Sequence, residues 1–512
     1  MSWLFFLIYF FIFLYIIYKL KLDKYKVLNY KFLYLIFVIK IFVGISLNIV
    51  YSEYYQDRKT SDIYKYFDDS KHIYRSLSEN PKHFIQLITG FNEGSTELNT
   101  YTDSTSNWKH QTTKFSNLTQ TSRVTFSNHR TITKFNALVR VFSFGNINIH
   151  VLFMSFLSLM GCLLIFKSFY QFISSDNLIF YLIIVFFTPS ILIWSSGILK
   201  EGLIVFGFGL FIYSIFHISN GFKYLISLLL SIFLIFITKY YLVFILIPLA
   251  SLYLIPLKSK KHILIKYVIF IIGTTLIYNL SDAFRNEVIG RIKNKRYAHV
   301  RTSLGGYYYI QFNKDNAHRI VRFEKIIKED DTTPKTNGYY LNSDISLVKA
   351  EPGLSYQVFN TGLNDKSLYT NSEFKYYFLD SYSKAGSYYT LPIIKDSFPE
   401  LFISSLKATK NVFIKPFSLV KGSLMLRLAS LENFALLIFV FYLLFKRSIS
   451  LKNLNVLLFN LSVTLTLYLL IGLTVPVVGG LFRYKMIGFV LFLISLLLIF
   501  DKKKANIITT NE

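Results

Sequence analysis

The sequence predicts an all-α polytopic membrane protein of about eleven transmembrane helices, with two long extracytoplasmic loops and a small mixed α/β insert. Three observations carry this. Of 512 residues, 53% are hydrophobic and 18% aromatic, and the mean hydropathy is +0.42. The apolar residues gather into blocks of about 15–20, the length that crosses a bilayer as a helix. Lys and Arg crowd the short connectors between the blocks, as the positive-inside rule requires of cytoplasmic loops.

In chain order, the blocks fall near 3–18, 32–51, 148–166, 178–196, 201–217, 223–237, 241–256, 264–280, 432–445, 454–473 and 485–500. The N-terminus, MSWLFFLIYFFIFLYIIYKLKLDKYK, has no basic n-region and no small-residue cleavage site, so it reads as a retained helix. The connectors KLKLDKYKVLNYK, PLKSKKHILIK and LFKRSISLKN and the tail DKKKANIITTNE are all basic. They share one side if the N-terminus is outside and the C-terminus inside. This divides the chain into two N-terminal helices (1–51), a first extracytoplasmic loop (52–147) and a central bundle (148–280). A second extracytoplasmic loop (281–431), C-terminal helices (432–500) and a cytoplasmic tail (501–512) follow. Within the second loop, residues 281–395 read as a soluble insert with strands such as GGYYYIQF. Residues 396–431 are amphipathic: Leu401, Ile403, Leu406 and Val412 recur at helical spacing beside Lys407, Lys410 and Lys415, as in a helix lying on a membrane surface.

The net charge of +27 does not point to nucleic acid. No basic helix, zinc pattern or RNA-binding aromatic motif accompanies it, and much of the excess is explained by the connectors. The single cysteine, Cys162, rules out a disulfide framework or a cysteine metal cluster. No internal repeat supports a repeat-built transporter. No Walker loop, GxSxG or HExxH supports ATP-driven transport or soluble hydrolase chemistry.

Three stretches hold residues that can do chemistry. In TSDIYKYFDDSKHIY (60–74), Asp62, Asp68 and Asp69 cluster soon after a membrane exit. A carboxylate there can act as a general base on an acceptor hydroxyl, or ligate a divalent cation. The plainer reading is a solvated helix start with Asp62 as N-cap. In TPSILIWSSGILKEGLIVFGFGL (188–210), Ser195, Ser196, Gly197, Lys200 and Glu201 sit between two apolar runs, on a turn expected at the outer face. Lys and Glu are costly there, and Lys200 at a helix N-terminus can hold a phosphate; the plainer reading is interfacial solvation of a tight turn. In TVPVVGGLFRYKMIGF (474–489), Pro476, Gly479 and Gly480 break the backbone before Arg483 and Lys485. Arg suits bidentate phosphate contacts, although headgroup anchoring explains it as simply. Lys239 and Tyr240 cap another outer turn, and Arg140 precedes a membrane entry. Glu432 starts a helix, matched to its dipole, and Lys40, inside the second helix, is expected to snorkel inward rather than bind anything.

This layout resembles the GT-C glycosyltransferases, polytopic enzymes that use polyprenyl-phosphate-linked sugars. The phrases PSILIWSSGILKEGL and VVGGLFRYKM are also similar to membrane proteins of Bacteroidetes surface-polysaccharide regions. The resemblance covers the second to fifth helices and the C-terminal motif. It implies a GT-C-like fold in a bacterial inner membrane, acting on the periplasmic side with membrane lipid and a polyprenyl-phosphate-linked sugar as partners. It implies catalytic roles for Asp62 and Glu201, and a place over the donor for Ser196 and Lys200; Arg483, Lys239 and Arg140 are the further candidates for substrate contact. If a divalent cation takes part, Asp62, Asp68 or Asp69 would hold it. The alternatives are an O-antigen-polymerase-like or ligase-like enzyme, with Arg291, Arg296, Arg301, Arg319 and Arg322 on polymer pyrophosphate, or a transporter or scaffold.

Overall fold

The computed structural model describes residues 2–20, 27–54, 61–91, 95–105, 128–257, 259–312, 318–323, 375–394, 397–417, 423–445 and 450–500, with single positions and short strands between. The tail 501–512 and the middle of the first loop lie outside the described residues. The helices are α1 (Ser2–Tyr18), α2 (Tyr30–Tyr54), α3 (Asp62–Glu79), α4 (Pro81–Thr89), α5 (Asn99–Thr102), α6 (Asn128–Ser143), α7 (Ile147–Phe169), α8 (Leu178–Phe187) and α9 (Pro189–Trp194). Then come α10 (Lys200–Phe216), α11 (Phe222–Leu254), α12 (Lys260–Leu280), α13 (Asp282–Leu304), seven strands, and α14 (Phe398–Ile414), α15 (Leu424–Phe445), α16 (Leu454–Thr474), α17 (Val478–Tyr484) and α18 (Met486–Ile499). Among the described residues, seven helices are long and apolar enough to cross a membrane, or eight if the α17–α18 pair, bent by 61°, is one span. Large apolar side chains such as Phe11, Phe42, Leu229, Ile269 and Phe441 stand exposed along these helices, where lipid rather than water suits them. The chain is therefore a multi-pass membrane protein.

All eleven apolar blocks are helical, but they do not all form spans of full length. The block 178–196 breaks at Thr188, where Pro189 starts α9. Blocks 223–237 and 241–256 run together as α11, whose Lys239 is non-helical at φ −149° and ψ 81°. A straight helix would hold Tyr224 and Tyr253 about 43 Å apart at 1.5 Å per residue. Instead both reach the end of α10: the rings of His217 and Tyr224 are 5.5 Å apart, and those of Phe216 and Tyr253 5.1 Å. α11 is thus folded back on itself at Lys239.

The chain divides into two compact units, 1–258 with 438–463 and 489–512, and 259–437 with 464–488. In the first, α7 and α10 pack at backbone contact. A Cβ on Gly209 would lie 2.2 Å from the Gly161 carbonyl oxygen, and one on Gly161 would lie 2.5 Å from that of Val205. Only glycine on both faces permits this approach. Aromatic rings fill the space between α1, α2 and α7, with Phe13 stacked on Phe156 at 4.3 Å. Tyr25 meets Tyr170 at 4.9 Å, and Asn455 Nδ2 donates to the Tyr253 carbonyl at 2.8 Å. The α1–α2 connector thus meets the end of α7, and the start of α16 meets the end of α11. α3 and α6 pack at the other ends of α2 and α7.

The second unit carries the expected insert. Its strands are β1 (Gly306–Phe312), β2 (His318–Phe323), β3 (Tyr339–Leu341), β4 (Leu347–Lys349), β5 (Gln357–Asn360), β6 (Ser367–Thr370) and β7 (Lys375–Tyr382); they form one antiparallel sheet in the order β4-β3-β2-β1-β7-β6-β5, centred on β1. The sheet sets the soluble insert apart from an otherwise helical fold. The segment after β7 is bound to the 474–484 break: Tyr389 N donates to Pro476 O at 2.8 Å and Tyr389 Oη to Val475 O at 2.9 Å. The expected amphipathic helix is α14. It buries Ser405, Ala408 and Val412 and leaves Phe402, Ile403 and Leu406 exposed.

Candidate functional site

The site begins with the turn that separates α9 from α10. Ser195 and Ser196 each donate a hydroxyl proton to the carbonyl four residues back, Ile191 and Leu192, both at 2.5 Å. Such back-bonding serines end a helix readily. Gly197 follows, and a side chain there would strike Leu47, whose Cδ2 would be 2.7 Å from the new Cβ. The turn is expected at the outer face but lies recessed inside the bundle. Lys40, near the middle of α2, donates from Nζ to Ser195 Oγ at 3.0 Å, and Ser158, near the middle of α7, donates to the same oxygen at 2.6 Å. Ser155 Oγ donates to Ser196 O at 3.3 Å, and Gly44 leaves room for that carbonyl against α2. α10 runs 17 residues from Lys200. Lys40 does not snorkel: it is 1% exposed and spent on Ser195, which an isolated helix gives no reason to expect.

Lys200 and Glu201 open α10, and both are buried. Glu201 Oε1 lies 3.7 Å from Lys239 Nζ, at the fold in α11. A buried ion pair therefore bridges two helix breaks. Taking these charges out of water is expensive, and their mutual attraction offsets the cost only while both partners are present. The N-terminal end of α10 adds positive potential next to Lys200. Three lysines and one glutamate thus surround the recessed turn, a balance that suits an anion.

The start of α3 lies across this turn. Ile63 and Leu47 both pack on Gly197, and Tyr64 Oη donates to the Asn48 carbonyl at 3.0 Å. Ser61, not Asp62, is the N-cap; Asp62 is the first helical residue and is partly exposed. The other two acids of the cluster have different surroundings. Asp68 holds Arg58 through two hydrogen bonds, 2.6 and 2.9 Å, and Asp69 is buried. Among the described residues no group of three His, Cys, Asp or Glu side chains converges as a metal site would require.

Arg140 turns inward rather than toward a membrane entry. Its Nε donates to Ser70 Oγ at 2.8 Å and its NH2 to Phe67 O at 2.7 Å, while the guanidinium covers the Phe67 ring. Burial pushes its pKa down to about 10. It fastens α6 to α3. Burial likewise lowers the pKa of His72, against the opposing pull of Asp69. Ser196 serves the turn itself.

In the second unit, Arg483 is buried in α17 with its guanidinium 5.9 Å from the Tyr484 ring. Lys485 is not at an outer mouth: its Nζ donates to Asn433 Oδ1 at 2.6 Å and lies 3.9 Å from Glu432 Oε1, all three side chains buried. Glu432 is therefore an ion-pair partner and not a dipole-matched helix start. Arg296 donates to the Pro392 and Leu391 carbonyls, and Arg301 lies near the Tyr297 and Tyr382 rings.

Sequence reasoning missed Ser158 and Asn48, the bond of Lys40 to Ser195, and the pairing of Glu432 with Lys485. One signal was available: Lys40, Gly44, Leu47 and Asn48 fall at i, i+4, i+7 and i+8, a stripe with two polar residues on an apolar helix. The class defined by fold and site is a multi-pass membrane protein with a recessed, lysine-rich helix break. No family model matches the chain, and no curated protein or solved structure is significantly similar to it.

Proposed function

We propose that the protein is an inner-membrane glycosyltransferase that takes a sugar from a polyprenyl-phosphate-linked donor and passes it to an acceptor on the periplasmic side, with its N-terminus outside and C-terminus inside. The observation that carries this reading is the buried Glu201–Lys239 pair with Lys200 at the N-terminus of α10, beneath the acidic first turn of α3. A donor phosphate needs positive charge where its leaving oxygen develops negative charge, and Lys200 with the helix end supplies it. Asp62 takes the proton of the acceptor hydroxyl. That oxygen bonds to the anomeric carbon, the bond from that carbon to the phosphate oxygen breaks, and the lipid phosphate leaves with the electron pair. Glu201 holds Lys239 and so fixes the fold in α11 beside Lys200. Of the residues named with the GT-C resemblance, Asp62, Glu201, Lys200 and Lys239 carry this assignment; Arg140 and Ser196 are spent on packing, and Arg483, which belongs to the second unit, has no part in it. Basic residues gather toward the end where the α1–α2 connector meets α7, which favours that end as cytoplasmic.

A second reading, an anion transporter, is favoured by one observation: a buried Lys–Glu pair sits at a helix break in each unit. The polymerase-like or ligase-like reading has less support, because Arg296 is committed to carbonyls of its own unit. The experiment is complementation of a deletion strain with wild type, Asp62→Asn, Glu201→Gln or Lys200→Ala, profiling surface glycans and lipid-linked sugars. A transferase predicts normally inserted Asp62 and Lys200 variants that leave the glycan altered and the lipid-linked sugar accumulated. Full restoration by all three variants would remove the transferase reading.

A further inference from the structure

We infer that the junction between the end of α2 and the first turn of α3 is a subsite for a neutral, hydroxyl-rich group, the chemistry of a hexose ring. Asn48 is 5% exposed, and neither Oδ1 nor Nδ2 has a hydrogen-bond partner among the described residues. Ser61 is fully buried at the N-cap position of α3, yet its Oγ caps nothing and has no partner among the described residues either. These two side chains belong to walls that meet. Tyr64 Oη donates to the Asn48 carbonyl, and the residues next to them, Leu47 and Ile63, share contact with Gly197. A buried amide without partners is costly, and a leucine would fill the same place in an apolar helix at less cost. Two such groups on facing walls point to a ligand that bonds to both.

The donor set selects the ligand. Asn48 offers a donor and an acceptor side by side, Ser61 offers one of each, and Asp62 adds a carboxylate acceptor. The opening N–H groups of α3 have no partner within their own helix. The described cation just before the turn, Arg58, is held by both oxygens of Asp68 and lies over the Tyr64 ring. The Asp62 carboxylate disfavours an anion at this place. Adjacent sugar hydroxyls, each able to donate and to accept, match all of these groups. The lysines around the recessed turn lie deeper in the bundle, so phosphate and sugar chemistry occupy different levels of one site. For its place in a reaction this inference rests on the transferase reading; sugar binding itself does not.

The test uses the full-length protein in lipid nanodiscs, with free methyl hexosides and N-acetylglucosamine as probes, followed by saturation-transfer NMR. At least one probe is expected to bind wild type. Asn48→Leu and Ser61→Ala are each expected to weaken that binding about tenfold, the loss of one or two hydrogen bonds. Asn48→Leu should keep or raise Tm, because it removes a buried amide that the protein itself does not satisfy. Should Asn48→Leu fail to fold, Ser61→Ala carries the test. Lys200→Ala should retain sugar binding while losing transfer from a lipid-phosphate donor. If no probe binds, or if both variants bind as wild type does, the subsite is overturned. If binding depends on Asn48 but Lys200→Ala still transfers sugar, the transferase site fails and the subsite stands.

Discussion

At the scale of single residues, the protein concentrates its electrostatic risk in a few buried side chains. Glu201 and Lys239 pair with each other in the interior. Removing one partner of a buried pair typically costs about 3–5 kcal/mol, while replacing both with apolar residues of similar size is often neutral or better. Glu201→Gln and Lys239→Met are therefore expected to lower Tm clearly, and the double variant Glu201→Leu/Lys239→Met to recover most of the loss. A thermal-shift double-mutant cycle measures this; additive losses would mean that the two charges do not interact. His72 gives a pH-dependent counterpart. Burial lowers its folded pKa below the unfolded value of about 6.5. The folded state therefore binds fewer protons than the unfolded chain in the interval between those two values. Stability is full above about pH 6.5 and falls as pH drops toward the lower folded pKa. His72→Asn should flatten that slope, as read from Tm between pH 5 and 7.5.

At the scale of helices, close approach decides what the sequence could reveal. The eleven apolar blocks were legible because each buries its face by composition alone. The soluble insert and the amphipathic α14 were legible for the same reason, their polarity changing with position. The depth of the 195–199 turn was not legible. It depends on Gly44, Lys40 and Ser158, which come from two other helices and meet the turn only in the folded bundle. Nor could sequence show that Arg140 bonds to Ser70 and Phe67 O on α3. A charged residue near a membrane boundary looks the same whether it faces a substrate or the protein. The α7–α10 contact shows how narrow the tolerance is. Gly209→Leu would push side-chain atoms into the Gly161 backbone, which neither helix can yield without moving. Overpacking of this kind costs about 1–3 kcal/mol or more. The variant is expected to lose Tm and to elute as a broadened or aggregated species in detergent, whereas Gly273→Leu, where a Cβ meets open space, should behave as wild type.

At the scale of the whole molecule, the recessed turn makes sense only if one end of the bundle faces the substrate and the other faces the cytoplasm. Basic connectors then determine which is which. The α1–α2 connector meets α7 near Tyr170, and the 450–453 segment meets Phe172 and Ile499. The two basic stretches thus share an end, opposite to α3. With the N-terminus outside, an even number of crossings would return the chain outside, so an inside C-terminus requires an odd number of membrane passes. Among the described residues seven helices are long and apolar enough to cross, and α11, one of them, is folded back at Lys239, so labelling of single sites reads the sidedness directly. The chain suits the experiment, since its one cysteine, Cys162, is buried. Ser104→Cys, on an exposed position after α5, should label with a membrane-impermeant maleimide in intact cells from which the outer membrane barrier has been removed. Lys452→Cys, exposed just before α16, should label only after the inner membrane is opened. The reverse pattern would put the α3 side in the cytoplasm. The recessed lysines and the Asn48–Ser61 junction would then serve a cytoplasmic substrate, and the periplasmic transfer would have to be abandoned while the geometry of the site remained.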